Sequence, residues 1–148
     1  MWGESGSAAD ARLEAPIRSR LMAHEPKLQV VELPNLSDEK LISIYQRADV
    51  LFFPSTLEGF GFPTVEAMAA GTPLVASNAT AMPEINGDAA LYFQPTDPTK
   101  AAELLVRVLH DPQLAEELRK KGREKALQLD WKCHFEELCD YYRAVAAT

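Results

Sequence analysis

Cysteine is scarce in this sequence of 148 residues, which contains only Cys133 and Cys139. Two cysteines are too few for a disulfide framework, and their spacing is not the Cys-x-x-Cys pattern of a redox or zinc site. On a helix they would be rotated by about 240° relative to each other around the axis, which disfavours a disulfide between them. No grouping of His, Cys and acidic residues has metal-ligand spacing, so no metal is expected. A reducing, cytoplasmic environment is the expectation.

Long apolar runs and excess positive charge are also missing. No run approaches the roughly 18 residues of a transmembrane helix, and residues 1–7 lack the basic and apolar regions of a signal peptide. The net charge of -7 argues against nucleic acid or an anionic membrane as the main partner. The length and the 47% hydrophobic content predict a single soluble domain over residues 1–148.

Basic residues are absent from one long internal segment. Between Arg47 and Lys100 there is no Lys, Arg or His, whereas six carboxylates fall there: Asp49, Glu58, Glu66, Glu84, Asp88 and Asp97. An anion bound here would need its counter-charge from backbone dipoles or from another part of the protein. No Gly-Lys-Ser/Thr occurs, which excludes a Walker-type loop, and Gly59-Phe60-Gly61 lacks the third glycine of a dinucleotide fingerprint.

Strand and helix patterns alternate along the chain. Apolar runs predict strands at 28–33, 50–53, 74–77 and 89–93, of which 50–53 has the composition of a strand buried on both faces. Helices are predicted within 7–23, after an N-cap at Ser37, from Pro63 to about Ala70 with Gly71 as its stop, and after Asp97, Asp111 and Asp130. The last helix closes the domain at 130–148, with Trp131, Tyr141 and Tyr142 expected to anchor it to the core. The alternation predicts an α/β fold with a parallel sheet flanked by helices.

The loop after the strand at 50–53 combines groups that suit a polar ligand. It contains Glu58, Gly59 and Gly61, and Glu66 follows in the helix that begins at Pro63. Ligands of parallel sheets bind beyond the carboxyl ends of the strands. Glycines allow close backbone approach, a helix N-terminus attracts an anion, and carboxylates accept hydrogen bonds from hydroxyls. The pattern suits a ligand with polyol, phosphate and polyol groups in series, although each residue taken singly also fits ordinary turn and helix-dipole roles.

Glu58 and Glu66, with seven residues between them, resemble the E-x7-E signature of retaining GT-B glycosyltransferases of family 4, also called the glycosyl transferases group 1 family. The flanking sequence agrees with that family over roughly residues 35 to 145. The agreeing segments include Ala48-Asp49-Val50, Glu58-Gly59-Phe60-Gly61, Glu66-Ala67-Met68-Ala69-Ala70-Gly71-Thr72-Pro73, Pro83-Glu84 and Gly87-Asp88-Ala89-Ala90.

The resemblance implies the Rossmann-like, C-terminal donor-binding half of a GT-B fold. It implies transfer of a hexosyl group, mannosyl or glucosyl, from a nucleotide-sugar to a sugar, lipid or glycan acceptor in carbohydrate biosynthesis, with retention and without a metal or other cofactor. In this family pattern Glu58 is catalytic and contacts the donor sugar, and Glu66 accepts hydrogen bonds from the ribose. The remaining implied contacts to the donor come from Gly59, Phe60, Gly61, Phe62 and Thr64, and the loop at 33–36 is implied to lie by the nucleobase.

The sequence departs from the family on its N-terminal side. The acceptor-binding domain, and the strand and loop whose Arg and Lys face the donor diphosphate, have no counterpart here. We therefore interpret the chain as N-terminally truncated, with the first elements of its domain missing and the acceptor site, and any peripheral membrane contact, in the missing part. Because a leaving diphosphate needs preorganised counter-charge, we expect little or no transferase activity from this chain alone.

Two alternatives remain. One is a glycoside hydrolase with Glu58 and Glu66 as acid and nucleophile, which is disfavoured because such pairs normally face each other across the scissile bond from separate elements. The other is a non-catalytic nucleotide-sugar-binding or assembly module of a split enzyme. The identities of the donor base, the donor sugar and the acceptor stay open.

Overall fold

The computed structural model describes residues 35–146 together with residues 29, 31 and 33. The chain divides into two compact units, residues 1–36 and 37–148, and the second contains every helix and strand given below. The helix predicted within 7–23 lies outside the described residues. So does half of the strand predicted at 28–33, where Gln29, Val31 and Leu33 are exposed and belong to no strand.

The second unit alternates strands and helices, as the sequence predicts. In chain order its elements are α1 (Asp38–Arg47), β1 (Leu51–Phe53), α2 (Phe62–Ala70), β2 (Leu74–Ser77), α3 (Met82–Asn86), a 3-10 turn (Gly87–Ala89), β3 (Ala90–Phe93), α4 (Pro98–His110), α5 (Pro112–Gln128) and α6 (Trp131–Ala146). The strand predicted at 89–93 begins one residue late, because Ala89 ends the 3-10 turn. Within the described chain, no helix is long and apolar enough to cross a membrane.

The three strands form a parallel sheet in the order β1-β2-β3. Leu74 of β2 pairs with Leu51 on one side and with Ala90 on the other, and the register continues along both neighbours. All four residues of β2 are buried, as expected of a central strand covered on both faces. The predicted α/β architecture is confirmed.

Alternate residues of β2 face two separate parts of the core. Val75 packs with Phe93 and with apolar side chains of α4 and α5, whereas Leu74 and Ala76 pack with Met68 of α2. This follows from the two-residue period of a strand, which sends successive side chains to opposite faces. Helices therefore cover both faces of the sheet, and the loops after β1 and β2 emerge at the same edge.

Two expectations about burial are wrong. β1 is an edge strand of the described sheet, so Phe52 is 40% exposed although its ring stacks on that of Phe93. Trp131, Tyr141 and Tyr142 do not anchor α6, because they are 63% to 76% exposed. No side chain of α6 belongs to either described core cluster, so the aromatic residues of this helix remain on the surface.

Candidate functional site

The loop between β1 and α2, residues 54–61, lies at the carboxyl edge of the sheet and is attached there to the loop that follows β2. The buried hydroxyl of Ser77, the last residue of β2, donates a hydrogen bond to the backbone carbonyl of Ser55. The backbone N–H of Glu58 donates to the hydroxyl of Thr80 at 3.0 Å. Two polar contacts between neighbouring strand ends therefore hold the segment that contains the first predicted carboxylate.

The Glu58 carboxylate is oriented from within its own loop. The hydroxyl of Ser55 lies 3.0 Å from Glu58 Oε1 and 3.3 Å from the carbonyl oxygen of Leu57, so it can donate to either. The Glu58 residue is half-buried, neither enclosed in the core nor fully in water. A carboxylate that already accepts one hydrogen bond keeps acceptor capacity for the hydroxyls of a ligand.

Gly59 and Gly61 differ in what surrounds them. A Cβ placed on Gly59 would meet nothing within 4 Å, so the backbone there is open to an approaching group. Gly61 is buried, has a φ of 86° and caps the N-terminus of α2. Its left-handed conformation turns the loop into the helix, and a Cβ there would also lie 3.1 Å from Met82 Sδ.

The first turn of α2 begins one residue earlier than the sequence predicts. Phe62, rather than Pro63, is the first helical residue, and proline takes the second position without losing a helical hydrogen bond. Phe62 is 55% exposed and its ring lies 4.8 Å from that of Phe60, centroid to centroid. N–H groups in the first turn have no intrahelical partner, so this end of α2 can receive an anion.

Thr64 is placed within the first turn but is fully buried. Its N–H and its hydroxyl both lie within hydrogen-bond distance of the carbonyl oxygen of Gly61, at 2.9 Å and 2.8 Å. The hydroxyl also lies 2.7 Å from Oδ1 of Asn86, another fully buried residue. The predicted donor contact of Thr64 stays a prediction, and its visible contacts fix the loop-to-helix junction.

Glu66 lies one turn into α2 and faces a surface cavity between α1 and α2. The cavity has a volume of about 440 Å³, and Tyr45, Gln46, Glu66 and Ala70 are among the residues that line it. The phenol of Tyr45 donates to Glu66 Oε2 at 3.3 Å. Burial, followed by the charge of Glu66 and this hydrogen bond, raises the pKa of Tyr45 to about 12. Tyr45 is therefore a neutral donor to Glu66 at any physiological pH.

Comparison with known proteins identifies the family. The family model described as glycosyl transferases group 1 matches residues 10–125, most of the chain. The chain belongs to this family. The site loop and both glutamates lie inside the matched segment, and the resemblance predicted from Glu58 and Glu66 is confirmed.

Individual glycosyltransferases are similar to this chain over part of their length. The MMP alpha-(1->4)-mannosyltransferase of Mycolicibacterium hassiacum is 41% identical over 97 residues, which are 64% of this chain and 24% of that protein. The D-inositol 3-phosphate glycosyltransferase of Saccharomonospora viridis is 31% identical over 147 residues, which are 97% of this chain and 34% of that protein. The chain thus spans about a quarter to a third of the length of these two relatives.

A solved structure supports the predicted fold class. The sucrose-phosphate synthase of Thermosynechococcus elongatus superposes on 97% of this chain with a TM-score of 0.76 and 30% sequence identity, and the matched part is 36% of that chain. The parallel sheet and its flanking helices therefore correspond to part of a GT-B glycosyltransferase fold.

The predicted site residues fall into one continuous stretch of structure, from Glu58 in the loop to Glu66 in α2. Sequence reasoning missed Thr80, Ser77 and Tyr45, which contact this stretch from other elements. These contacts join residues 21 or 22 positions apart in the chain, so no local pattern indicates them. The predicted nucleobase loop at 33–36 lies partly outside the described residues.

Proposed function

We propose that residues 1–148 form part of the donor-binding domain of a glycosyltransferase, with Glu58 at the donor sugar and Glu66 at the ribose. The observation on which this rests is the placement of Glu58: its backbone is held by Thr80, its carboxylate by Ser55, and the adjacent Gly59 is open to a ligand. The transferred group in this proposal is a hexosyl group, mannosyl or glucosyl, and it is transferred with retention. The cytoplasmic location and the metal-free reaction stay predictions.

The chemistry of the loop supports this assignment. The carboxylate of Glu58 accepts hydrogen bonds from sugar hydroxyls. The N–H groups around Gly61 and Phe62, together with the positive end of the α2 dipole, stabilise the negative charge that develops on the leaving diphosphate. The carboxylate of Glu66, already oriented by Tyr45, accepts from the ribose diol. The three groups follow one another along the chain in the order sugar, phosphate, ribose.

Separate substitutions of the two glutamates test the two roles. We expect Glu58→Gln to weaken binding of UDP-glucose or GDP-mannose to the chain by about 10- to 100-fold, the loss typical of a hydrogen bond to a charged group, while UDP and GDP bind as before. Glu66→Gln should weaken the binding of nucleotides and of nucleotide-sugars to the same extent, because the ribose is common to both. Calorimetric titration measures these affinities.

Glu124→Gln, which changes an exposed glutamate of α5, is the matched control and should leave all four affinities unchanged. Equal losses of nucleotide and nucleotide-sugar affinity in Glu58→Gln would contradict the sugar role of Glu58. A wild-type chain that binds none of the four compounds would contradict the donor site itself.

The second candidate function is a nucleotide-sugar-binding module without catalysis. One observation favours it: residues 48–99, which include the whole site loop, contain no Lys or Arg to neutralise a departing diphosphate. We propose that the counter-charge for the diphosphate lies outside this segment and that the chain by itself transfers sugar slowly or not at all. Tight binding without turnover, even after candidate partner domains are added, supports the module, whereas transfer at rates near those of a longer relative contradicts it.

A further inference from the structure

Thr80 has a backbone conformation that its side chain disfavours. It lies in the loop between β2 and α3 with a φ of 48°, in the left-handed region. A β-branched residue is strained there, whereas glycine adopts the same conformation at no steric cost. Strain of this kind persists where the surrounding structure enforces the conformation, and such positions cluster at functional sites.

The hydroxyl of Thr80 has a specific use. It accepts the backbone N–H of Glu58 at 3.0 Å, across 22 residues of sequence. Glycine at position 80 would relieve the strain but would leave this N–H without its acceptor. The structure therefore combines a disfavoured backbone conformation with a side-chain acceptor oxygen that glycine lacks.

The contact determines where the Glu58 carboxylate stands. Ser55 holds Oε1 of Glu58, and the carbonyl of Ser55 is itself held by Ser77. With Thr80 on the Glu58 N–H, the residue is attached at its backbone and at its side chain, and both attachments lead to the end of β2. A displacement of about 1 Å at such a group is enough to weaken its interaction with substrate strongly.

We propose that Thr80 is a positioning residue: through its hydroxyl it sets the place of Glu58 and thereby the preference of the site for a nucleotide-sugar over a bare nucleotide. This inference rests on the proposed role of Glu58 at the donor sugar. A hydroxyl that merely closed a loop would affect stability, and would affect the binding of both kinds of ligand to the same extent.

Three substitutions in the 148-residue chain separate the hydroxyl from the strain. Thr80→Val keeps the branched shape and removes the hydroxyl, Thr80→Ser restores the hydroxyl, and Thr80→Gly removes both the hydroxyl and the strain. Each variant and the wild type are titrated calorimetrically with UDP, GDP, UDP-glucose and GDP-mannose. Thermal melting and hydrogen exchange of the Glu58 amide, followed by NMR, are measured on the same samples without ligand.

We expect Thr80→Val and Thr80→Gly to bind the nucleotide-sugar about 10-fold more weakly, the scale of a misplaced contact group, and to bind the bare nucleotide within about 2-fold of wild type. The Glu58 amide should exchange about 10-fold faster in both, because its acceptor is lost. Thr80→Ser should behave as wild type in both measurements. Thr80→Gly should melt no lower than Thr80→Val, since it relieves the left-handed strain.

The positioning role is overturned if Thr80→Val retains the wild-type preference for nucleotide-sugars, or if the affinities for both ligand kinds fall together with the melting temperature. Unchanged exchange of the Glu58 amide in Thr80→Val also overturns it, and that measurement needs no ligand. If the wild-type chain binds none of the four compounds, the donor site fails as proposed. The exchange rates then still decide whether Thr80 holds Glu58.

Discussion

At the scale of single residues, Gly59 and Gly61 stand two positions apart in the same loop, but their backbones differ. Gly61 is in the left-handed region and is buried against Met82, whereas Gly59 is exposed, lies outside that region and has open space where a Cβ would be. Both glycines share the sequence context Glu58-Gly59-Phe60-Gly61. Only the backbone angles show which of them the fold requires.

We therefore expect Gly61→Ala to lower the free energy of unfolding by about 1–2 kcal/mol, the cost of a left-handed conformation for a residue with a Cβ. Gly59→Ala is the matched control and should stay within about 0.5 kcal/mol of wild type. Urea denaturation of the two variants measures the difference. Equal stabilities would show that the Gly61 turn relaxes to another conformation.

The residues of the site were predictable only where their signal is local. Glu58, Glu66 and the glycines share one stretch of sequence, and their spacing alone indicated a polar ligand. Thr80 and Tyr45 contact this stretch from β2's following loop and from α1. Hydroxyls on distant segments leave no spacing pattern, because tertiary packing and not proximity in the chain brings them close.

At the scale of elements, the helix starts show how much a capping residue contributes. Asp111 begins α5, and its carboxylate accepts the N–H groups of Gln113 and Leu114 at 3.1 Å and 3.0 Å. Ser37 begins α1 as predicted, but its side chain makes no capping hydrogen bond. Both residues are of the types preferred at an N-cap, but only Asp111 makes the side-chain hydrogen bond that stabilises the helix start.

Asp111→Ala should lower the free energy of unfolding by about 1 kcal/mol, because two N–H groups at the start of α5 lose their acceptor. Asp111→Asn keeps an acceptor oxygen and should lower the free energy of unfolding by only about 0.3 kcal/mol. Ser37→Ala serves as the comparison at an N-cap without a side-chain bond and should cost less than about 0.5 kcal/mol. Chemical denaturation checks all three, and a larger loss in Ser37→Ala than in Asp111→Ala would contradict the capping argument.

At the scale of the whole molecule, two tyrosines make the free energy of unfolding depend on pH in the alkaline range. Burial, with the charges of nearby carboxylates, raises the pKa of Tyr45 and the pKa of Tyr92 from 10.0 to about 12. The carboxylates are Glu66 for Tyr45 and Asp88 for Tyr92. Tyr92 also donates to the carbonyl of Gly87 at 2.7 Å. The folded state therefore holds both phenolic protons more tightly than the unfolded chain does.

Between pH 10 and pH 12 the folded state binds more protons than the unfolded state, so the free energy of unfolding falls as the pH rises through this window. Below pH 10 both contributions are fully present. We expect the double variant Tyr45→Phe, Tyr92→Phe to show a shallower decline in urea denaturation series across this range. Tyr141→Phe, which changes a tyrosine that is 65% exposed, should decline as wild type does, and parallel curves for all three proteins would contradict the coupling.

The amino-acid sequence by itself determined the alternation of strands and helices, the family, and the loop that contains Glu58, because apolar periodicity, capping residues and motif spacing are properties of neighbouring positions. Tertiary structure alone decided that β1 lies at the edge of the described sheet with Phe52 exposed, that α6 leaves its aromatic residues on the surface, and that Thr80 and Tyr45 hold the two glutamates. These exposures and contacts depend on which segments pack against one another in the folded chain. Parallel pairing brings the ends of β1 and β2 to one edge, and the backbone N–H of Glu58 then donates a hydrogen bond to the hydroxyl of Thr80, 22 positions away in the chain.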